Sequence, residues 1–522
     1  MSRATRSALV RDDRTLYEAA AGAAVGLSGV AFAAGLAALL GVVAIDDPVA
    51  GLELSVVFGA TLLALGLAVV GFGVASRLEY VDAAPQPSAG LVAAAAFTGI
   101  WFAVGAVVSG AAGLGIGARF GAGAVLGGIA FAATALPRED IGSTVPAGAV
   151  AGLCGLFLVT GVVGPGWERA LAGYNATLFG DTVVPAVVLF ASLVSGWSAA
   201  KAYGGFGARG RNVGAYVLIY LVVCSILAVL VGLVAFVTVK GLPGLFNGFG
   251  VGGAALISWP FLTNGAGLLA DVAGVFPALV GTVWLVIGAV LFAVPTGVGA
   301  AVFLSEYAEQ GRFTGAVEVA TNGLWSTPSI VFGLFGAAFL IPRFGNQKSL
   351  IAGMLTLGFM LLPLVLITSR EAILAVPDEY RDASAALGVS KWQTIRSVVL
   401  PAAIPGITTG VILGVGRIAG ETAPILLTMG GGVLPAKSAA PDVLGGFQLS
   451  GSPPFVSNPA LLEATSALPY QLYALITAGL SGNIQSPQEY AWGLALTLLL
   501  VVLVFYAIGI ATRYYFRRKL HQ

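Results

Sequence analysis

The chain has 522 residues, of which 58% are hydrophobic and only 9% charged, with a mean hydropathy of +0.95. Soluble domains carry about 25% charged residues, so this composition excludes a water-soluble fold. The formal net charge of +1 gives no reason to expect a nucleic-acid partner. Cys154 and Cys224 sit in apolar runs and offer neither a disulfide framework nor a metal site.

A membrane span takes about 20 apolar residues, because an unpaired amide in hydrocarbon costs several kcal/mol and a helix pairs its own. In chain order the predicted spans are 18–44, 51–75, 89–110, 120–136, 143–166 and 183–200, then 213–239, 276–304, 328–342, 350–369, 404–428 and 490–512. The expected fold class is all-α, a polytopic transmembrane helix bundle of about 12 spans. The first apolar run, behind Arg3, Arg6, Arg11 and Arg14, is too long for a signal-peptide core and reads as a span.

The basic residues test this count. With the N-terminus cytoplasmic and the chain alternating, eighteen of the 25 Lys and Arg residues fall inside. Six fall outside: Arg119, Arg169, Lys240, Arg343, Lys348 and Lys437. Such an excess on one side is what the positive-inside rule requires, and it places both termini in the cytoplasm. Arg417 alone falls within a span.

The run Lys201-Ala-Tyr-Gly-Gly-Phe-Gly-Ala-Arg-Gly-Arg-Asn212 is polar, Gly-rich and basic, and reads as a cytoplasmic linker. It divides an N-terminal membrane extension of about six helices, 1–205, from a second unit, 206–522. In the first half Arg138, Glu139 and Asp140 fall in a predicted loop, and the triplet Asn175-Ala176-Thr177 lies on the outer side. With almost no charge expected within its spans, this half reads as accessory: extra packing, or a docking surface for another membrane subunit.

Between the spans ending at Thr368 and starting near Ile404 lies a cytoplasmic loop. Pro377 and Asp378 mark a helix start, and Glu379 adds negative charge to its first turn. Ala383, Ala386 and Leu387 share one small apolar face, and Gly388 ends the helix in the manner of a glycine cap. A second short helix runs from Ser390 to Val399 and stops at Leu400–Pro401. A short exposed helix held between two spans suits docking into a partner's groove.

This loop resembles the EAA loop of ABC importer permeases. Asp382-Ala383-Ser384, three residues, Gly388, nine residues and Val398-Val399-Leu400-Pro401 follow its pattern, with Asp for Glu, Ser for Ala and Val for Ile. The stretches Asn322–Gly336 and Gly416–Thr428, with Ala301–Glu309 as a weaker third, resemble signatures of phosphate-importer permeases. The resemblance spans about residues 213–520 and implies a C-terminal six-helix core of the type I ABC importer permease. It also implies that Asp382, Ala383, Ser384, Ala386, Leu387, Gly388, Leu400 and Pro401 form the loop docking an ATP-binding subunit dimer. A second permease subunit, an external phosphate-binding protein and membrane lipid are the other implied partners. No phosphate-cradling G-x-x-x-x-G-K-[ST] run occurs, so no cofactor is expected in this chain and ATP is left to the partner.

Arg417 costs about 2.5–3.5 kcal/mol in a span on insertion scales and must face a partner or a watery cavity. Glu421, at i+4, is expected on the same helical face, with Thr422 beside it. A planar guanidinium suits a tetrahedral oxyanion, and Glu421 can accept the P–OH proton that sulfate lacks. These three residues are the expected substrate path, with a structural ion pair as the alternative. A molybdate or sulfate importer and an ion-coupled secondary transporter are the competing functions. The single His521 argues against an intramembrane enzyme.

Overall fold

The structure, a computed structural model, describes residues 16–81, 83–111, 113–170, 177–252, 257–266, 272–309, 311–432, 435–452, 455–478 and 486–520. Arg3, Arg6, Arg11, Arg14, Asn175, Ala176 and His521 lie outside the described residues. The chain forms two compact units that divide at Leu233–Val234.

The first unit contains α1 (Leu16–Leu39), α2 (Leu54–Arg77), α3 (Leu91–Ala111), α4 (Ile116–Ala135), α5 (Glu139–Val159), α6 (Gly180–Tyr203) and most of α7 (Gly207–Leu245). Small residues let these helices approach closely, the usual route to association where lipid tails remove the hydrophobic drive. Gly59, Gly66 and Gly73 stand seven apart on α2 and face Gly155, Gly148 and Thr144 of α5 in turn. A Cβ on Gly66 would come within 2.7 Å of the Gly148 carbonyl oxygen, and one on Gly155 within 2.6 Å of that of Gly59.

The α1–α6 pair repeats the contacts of α5–α2. Gly35 meets Leu189 as Gly155 meets Leu63, and Ser28 meets Gly196 as Gly148 meets Val70. Both α1 and α5 end in a glycine at φ +70, Gly41 and Gly161, followed by Val-Val and a two-stranded hairpin. The first unit is thus built around two copies of one helix–hairpin–helix element.

Three expectations for this region change. Glu139 and Asp140 occupy the first turn of α5 and are fully buried, not in a loop. The stretch from Lys201 to Asn212 is not a free linker, because Lys201 is only 1% exposed and helix resumes at Gly207. The unit boundary accordingly falls within α7 and not near residue 205. One network accounts for the first two. Lys201 Nζ lies 2.8 Å from Glu139 Oε1, while Glu139 Oε2 accepts hydrogen bonds from the amides of Gln86 and Gly207. Asp140 accepts from Ser76 and pairs with Arg138 at 3.1 Å.

Removing one partner of a buried ion pair strands the other charge and costs about 3–5 kcal/mol. Lys201→Met is therefore expected to lower the thermal unfolding temperature of the purified protein markedly. Lys201→Met with Glu139→Gln is expected to recover most of that loss, because the Gln carbonyl still accepts the two amides.

In the second unit, α8 (Phe276–Val302) packs against α11 (Leu350–Leu374) around Leu285, Ala289, Ala293, Leu357, Leu361 and Val365. A third long helix, α13 (Lys391–Ala419), crosses α11 through Gly406 on Ala372 and Gly414 on Leu361. The last helix, α16 (Pro487–Leu520), meets α13 at Gly416–Tyr506 and Gly509–Ile412. Between α8 and α11 lie α9 (Arg312–Ser326) and α10 (Ser329–Phe335). The short helices α12 (Asp378–Ala386), α14 (Ala423–Thr428) and α15 (Leu468–Ala478) complete the unit.

Among the described residues eleven helices are long and apolar enough to span a membrane, and one bent pair makes twelve if counted as a single span. Two expected spans differ in form. The segment at 328–342 is one arm of that pair: Arg312–Ser326 and Ser329–Arg343 meet at 103°. Pro328 lacks an amide proton and holds Thr327 extended at φ −67, ψ 133, which stops α9 there. The expected span 404–428 is two helices, since α13 ends at Ala419 and α14 starts at Ala423. The loop helix expected to stop at Leu400–Pro401 instead runs on into α13. A π turn over Ile395–Val399 precedes Pro401 and loosens the hydrogen-bond ladder where the proline has no donor.

Candidate functional site

Two broken helices meet in the second unit. A Cβ on Gly333 of α10 would lie 2.9 Å from Pro424 Cα of α14, so only glycine permits this approach. Gly336 is likewise pressed against Thr356 and Thr428. The amide of Ser349 and the Lys348 ammonium donate to the carbonyls of Thr428 and Leu426 at 3.0 and 2.8 Å, fixing the far end of α14.

Arg417 lies in the last turn of α13, not at the middle of a span. Glu421 falls beyond the helix end, after Gly420, and not on the helical face expected of it. The pair still forms, with Arg417 Nε 3.8 Å from Glu421 Oε1. Thr422 begins α14 at φ −105, ψ −44, and its carbonyl receives the Leu426 amide. The structure thus brings Arg417, Glu421 and Thr422 together at the break.

Sequence reasoning missed Trp325. The Arg417 guanidinium stands 4.5 Å above the centre of its ring, a cation–π contact. Among the described residues Arg417 makes no hydrogen bond, and its side chain is 35% exposed. Its five N–H donors remain available to an acceptor that enters the break.

A second polar locus sits along α9. Glu318, Thr321, Asn322 and Trp325 fall at i, i+3, i+4 and i+7 and so share one helical face. The first three help line a cavity of about 230 Å³ that Arg370 and Glu371 of α11 close from the other side. Arg370 pairs with Glu318 there, while its Nε is buried without a partner among the described residues. The spacing on α9 was visible in the sequence. Its significance was not, since nothing local tells that Arg370 faces it.

The loop between α11 and α13 is the third locus. Gly388 adopts φ +71 just past α12, as its capping role requires. Ser390 caps the next helix, with Gln393 reaching back to the Ser390 amide at 3.0 Å. Asp382, Ala383, Ala386 and Leu387 are exposed, whereas Ser384 is buried and donates to the Tyr380 carbonyl. Leu400 and Pro401 belong to α13 and not to the loop. Leu387 is 83% exposed and Trp392 54%, large apolar groups turned to the surface. Arg381 anchors the loop: its guanidinium donates to Glu306, to the carbonyls of Ile373 and Val376, and to Asp378. Glu306, just past the end of α8, is its partner at 2.9 Å.

The family model described as binding-protein-dependent transport system inner membrane component matches residues 293–522, which contain all three loci. The probable ABC transporter permease protein YqgI of Bacillus subtilis is 36% identical over 199 residues, 38% of this chain and 68% of its own length. The phosphate transport system permease protein PstA of Mycobacterium leprae is 35% identical over 251 residues, 47% of this chain and 72% of its own. Among solved structures, the inward-facing MetNI methionine ABC transporter aligns over 47% of this chain and 94% of its own. That match has 19% identity and a TM-score of 0.34.

Proposed function

This chain belongs to the family of binding-protein-dependent transport system inner membrane components, and we propose that the substrate it carries is inorganic phosphate. It is a multi-pass membrane subunit of an ABC importer, a permease and not an enzyme. The observation that carries the substrate is Arg417, a guanidinium with no hydrogen bond among the described residues, at a helix break, stacked on Trp325 and facing Glu421. A planar fork with free donors suits a tetrahedral oxyanion. Glu421 accepts the proton of hydrogen phosphate and repels sulfate, which has none to give. Relatives described as phosphate permeases support the same substrate.

In this reading the loop around Gly388 docks the ATP-binding subunit dimer, which binds and hydrolyses ATP. A second permease subunit completes the pathway, and a phosphate-binding protein delivers substrate on the outer face. Both termini lie in the cytoplasm, as the basic residues indicate. The break at 420–422 opens toward the substrate, and the polar face of α9 leads from Trp325 toward Arg370.

Competition for labelled phosphate uptake tests the substrate. Excess sulfate or molybdate is expected to leave uptake by the wild-type assembly unchanged, and Glu421→Gln to let sulfate compete. Equal competition by all three oxyanions in the wild type would reject phosphate as the selected substrate.

A further inference from the structure

The first unit carries an apolar groove that transport by the second unit does not use. Its volume is about 490 Å³, and its lining includes Val92 and Ile100 of α3, Phe190 and Trp197 of α6, and Arg211 and Leu218 of α7. We infer that this groove holds one acyl chain of an anionic phospholipid whose phosphate rests on Arg211.

Dimensions, polarity and charge agree on this occupant. From Val92 to Ile100 on α3 the lining rises about 12 Å, and from Phe190 to Lys201 on α6 about 16 Å, each close to half of the ~30 Å hydrocarbon core. The groove therefore spans one leaflet and not the bilayer. Its walls are almost wholly hydrocarbon and aromatic, with cations only at the end where α6 finishes and α7 begins. Lys201 is spoken for: its ammonium is 1% exposed, paired with Glu139 and 4.9 Å over the Trp197 ring. Arg211 is different. It is exposed, and among the described residues it makes one hydrogen bond, from Nη1 to the Gln86 side chain at 2.8 Å. With Lys201 and Glu139 cancelling, Arg211 leaves the mouth of the groove with a net positive charge.

Hydrocarbon contact alone confers no preference, since bulk lipid tails are as apolar as the groove. Selectivity therefore resides in the headgroup. Basic sites between spans on the cytoplasmic side favour anionic headgroups, and the positive-inside pattern puts Arg211 on that side.

Native mass spectrometry of the purified full chain tests this with phosphatidylglycerol and phosphatidylcholine of identical acyl chains. One phosphatidylglycerol is expected to stay bound in preference to phosphatidylcholine. Arg211→Gln should weaken its retention about fivefold, to the phosphatidylcholine level, while Arg211→Lys preserves the preference. Ala96→Trp places an indole in the groove from an exposed position on α3 and should abolish the retained lipid. Thermal unfolding of each variant separates lipid loss from misfolding. The proposal fails if the two lipids are retained equally by the wild type or if Ala96→Trp changes nothing. It fails equally if inorganic phosphate displaces the lipid, or if a dimer of the chain forms with no lipid retained.

Discussion

Arg417→Gln is expected to lower phosphate uptake by about 10- to 100-fold while the protein still reaches the membrane. The size follows from losing a charge-assisted hydrogen bond to an anion, about 1.5–3 kcal/mol, with each 1.4 kcal/mol worth a factor of ten. Folding should tolerate the change. Arg417 is 35% exposed, makes no hydrogen bond among the described residues, and sits 3.8 Å from Glu421. Its main structural contribution is the stack on Trp325, about 0.5–2 kcal/mol. Arg417→Lys is expected to fall between, because a point charge lacks the paired donors of the guanidinium. Uptake equal to the wild type in Arg417→Gln, at equal membrane abundance, would return the pair to a purely structural role.

Gly388→Trp is expected to bring ATP-driven uptake close to background without unfolding the chain. Gly388 has φ +71 and open space around its Cα, so the cost inside this chain is the left-handed backbone alone, about 1–2 kcal/mol. The indole would project from a surface that already presents Leu387, Val389 and Trp392, the surface proposed to meet the ATP-binding partner. Arg381 ties that loop to the bundle through Glu306 at the end of α8 and the Ile373 carbonyl of α11. Arg381→Ala is expected to uncouple as well, leaving ATP hydrolysis by the assembly largely intact while uptake falls. Paired measurements of ATPase rate and uptake in membrane vesicles decide this. Unchanged uptake in both variants would remove the docking role from the loop.

Much of this architecture was legible because it rests on local rules. The lengths of apolar runs and the asymmetry of Lys and Arg located the spans. Pro377, Gly388 and Ser390 marked the loop helices by capping chemistry that needs no tertiary partner. What escaped the sequence depends on contacts between distant residues. Glu139 reads as a loop acid until Lys201 and the amides of Gln86 and Gly207 enclose it. Trp325 carries no local signal of its role, and meets Arg417 only because of the 103° bend at Thr327–Pro328 and the end of α13 at Ala419. Pro328 and Gly420 announced that breaks were possible, but their angle is set by the Gly333 and Gly336 contacts with α14. The spacing of Gly59, Gly66 and Gly73 was open to view and passed unread amid so many glycines.

The most direct test of the central claim is phosphate accumulation in vesicles holding the complete assembly, with ATP and ion gradients supplied separately. The account predicts that ATP alone drives phosphate inward against its gradient, and that collapsing the ion gradients leaves the rate unchanged. Accumulation driven by an ion gradient in the absence of ATP would contradict it.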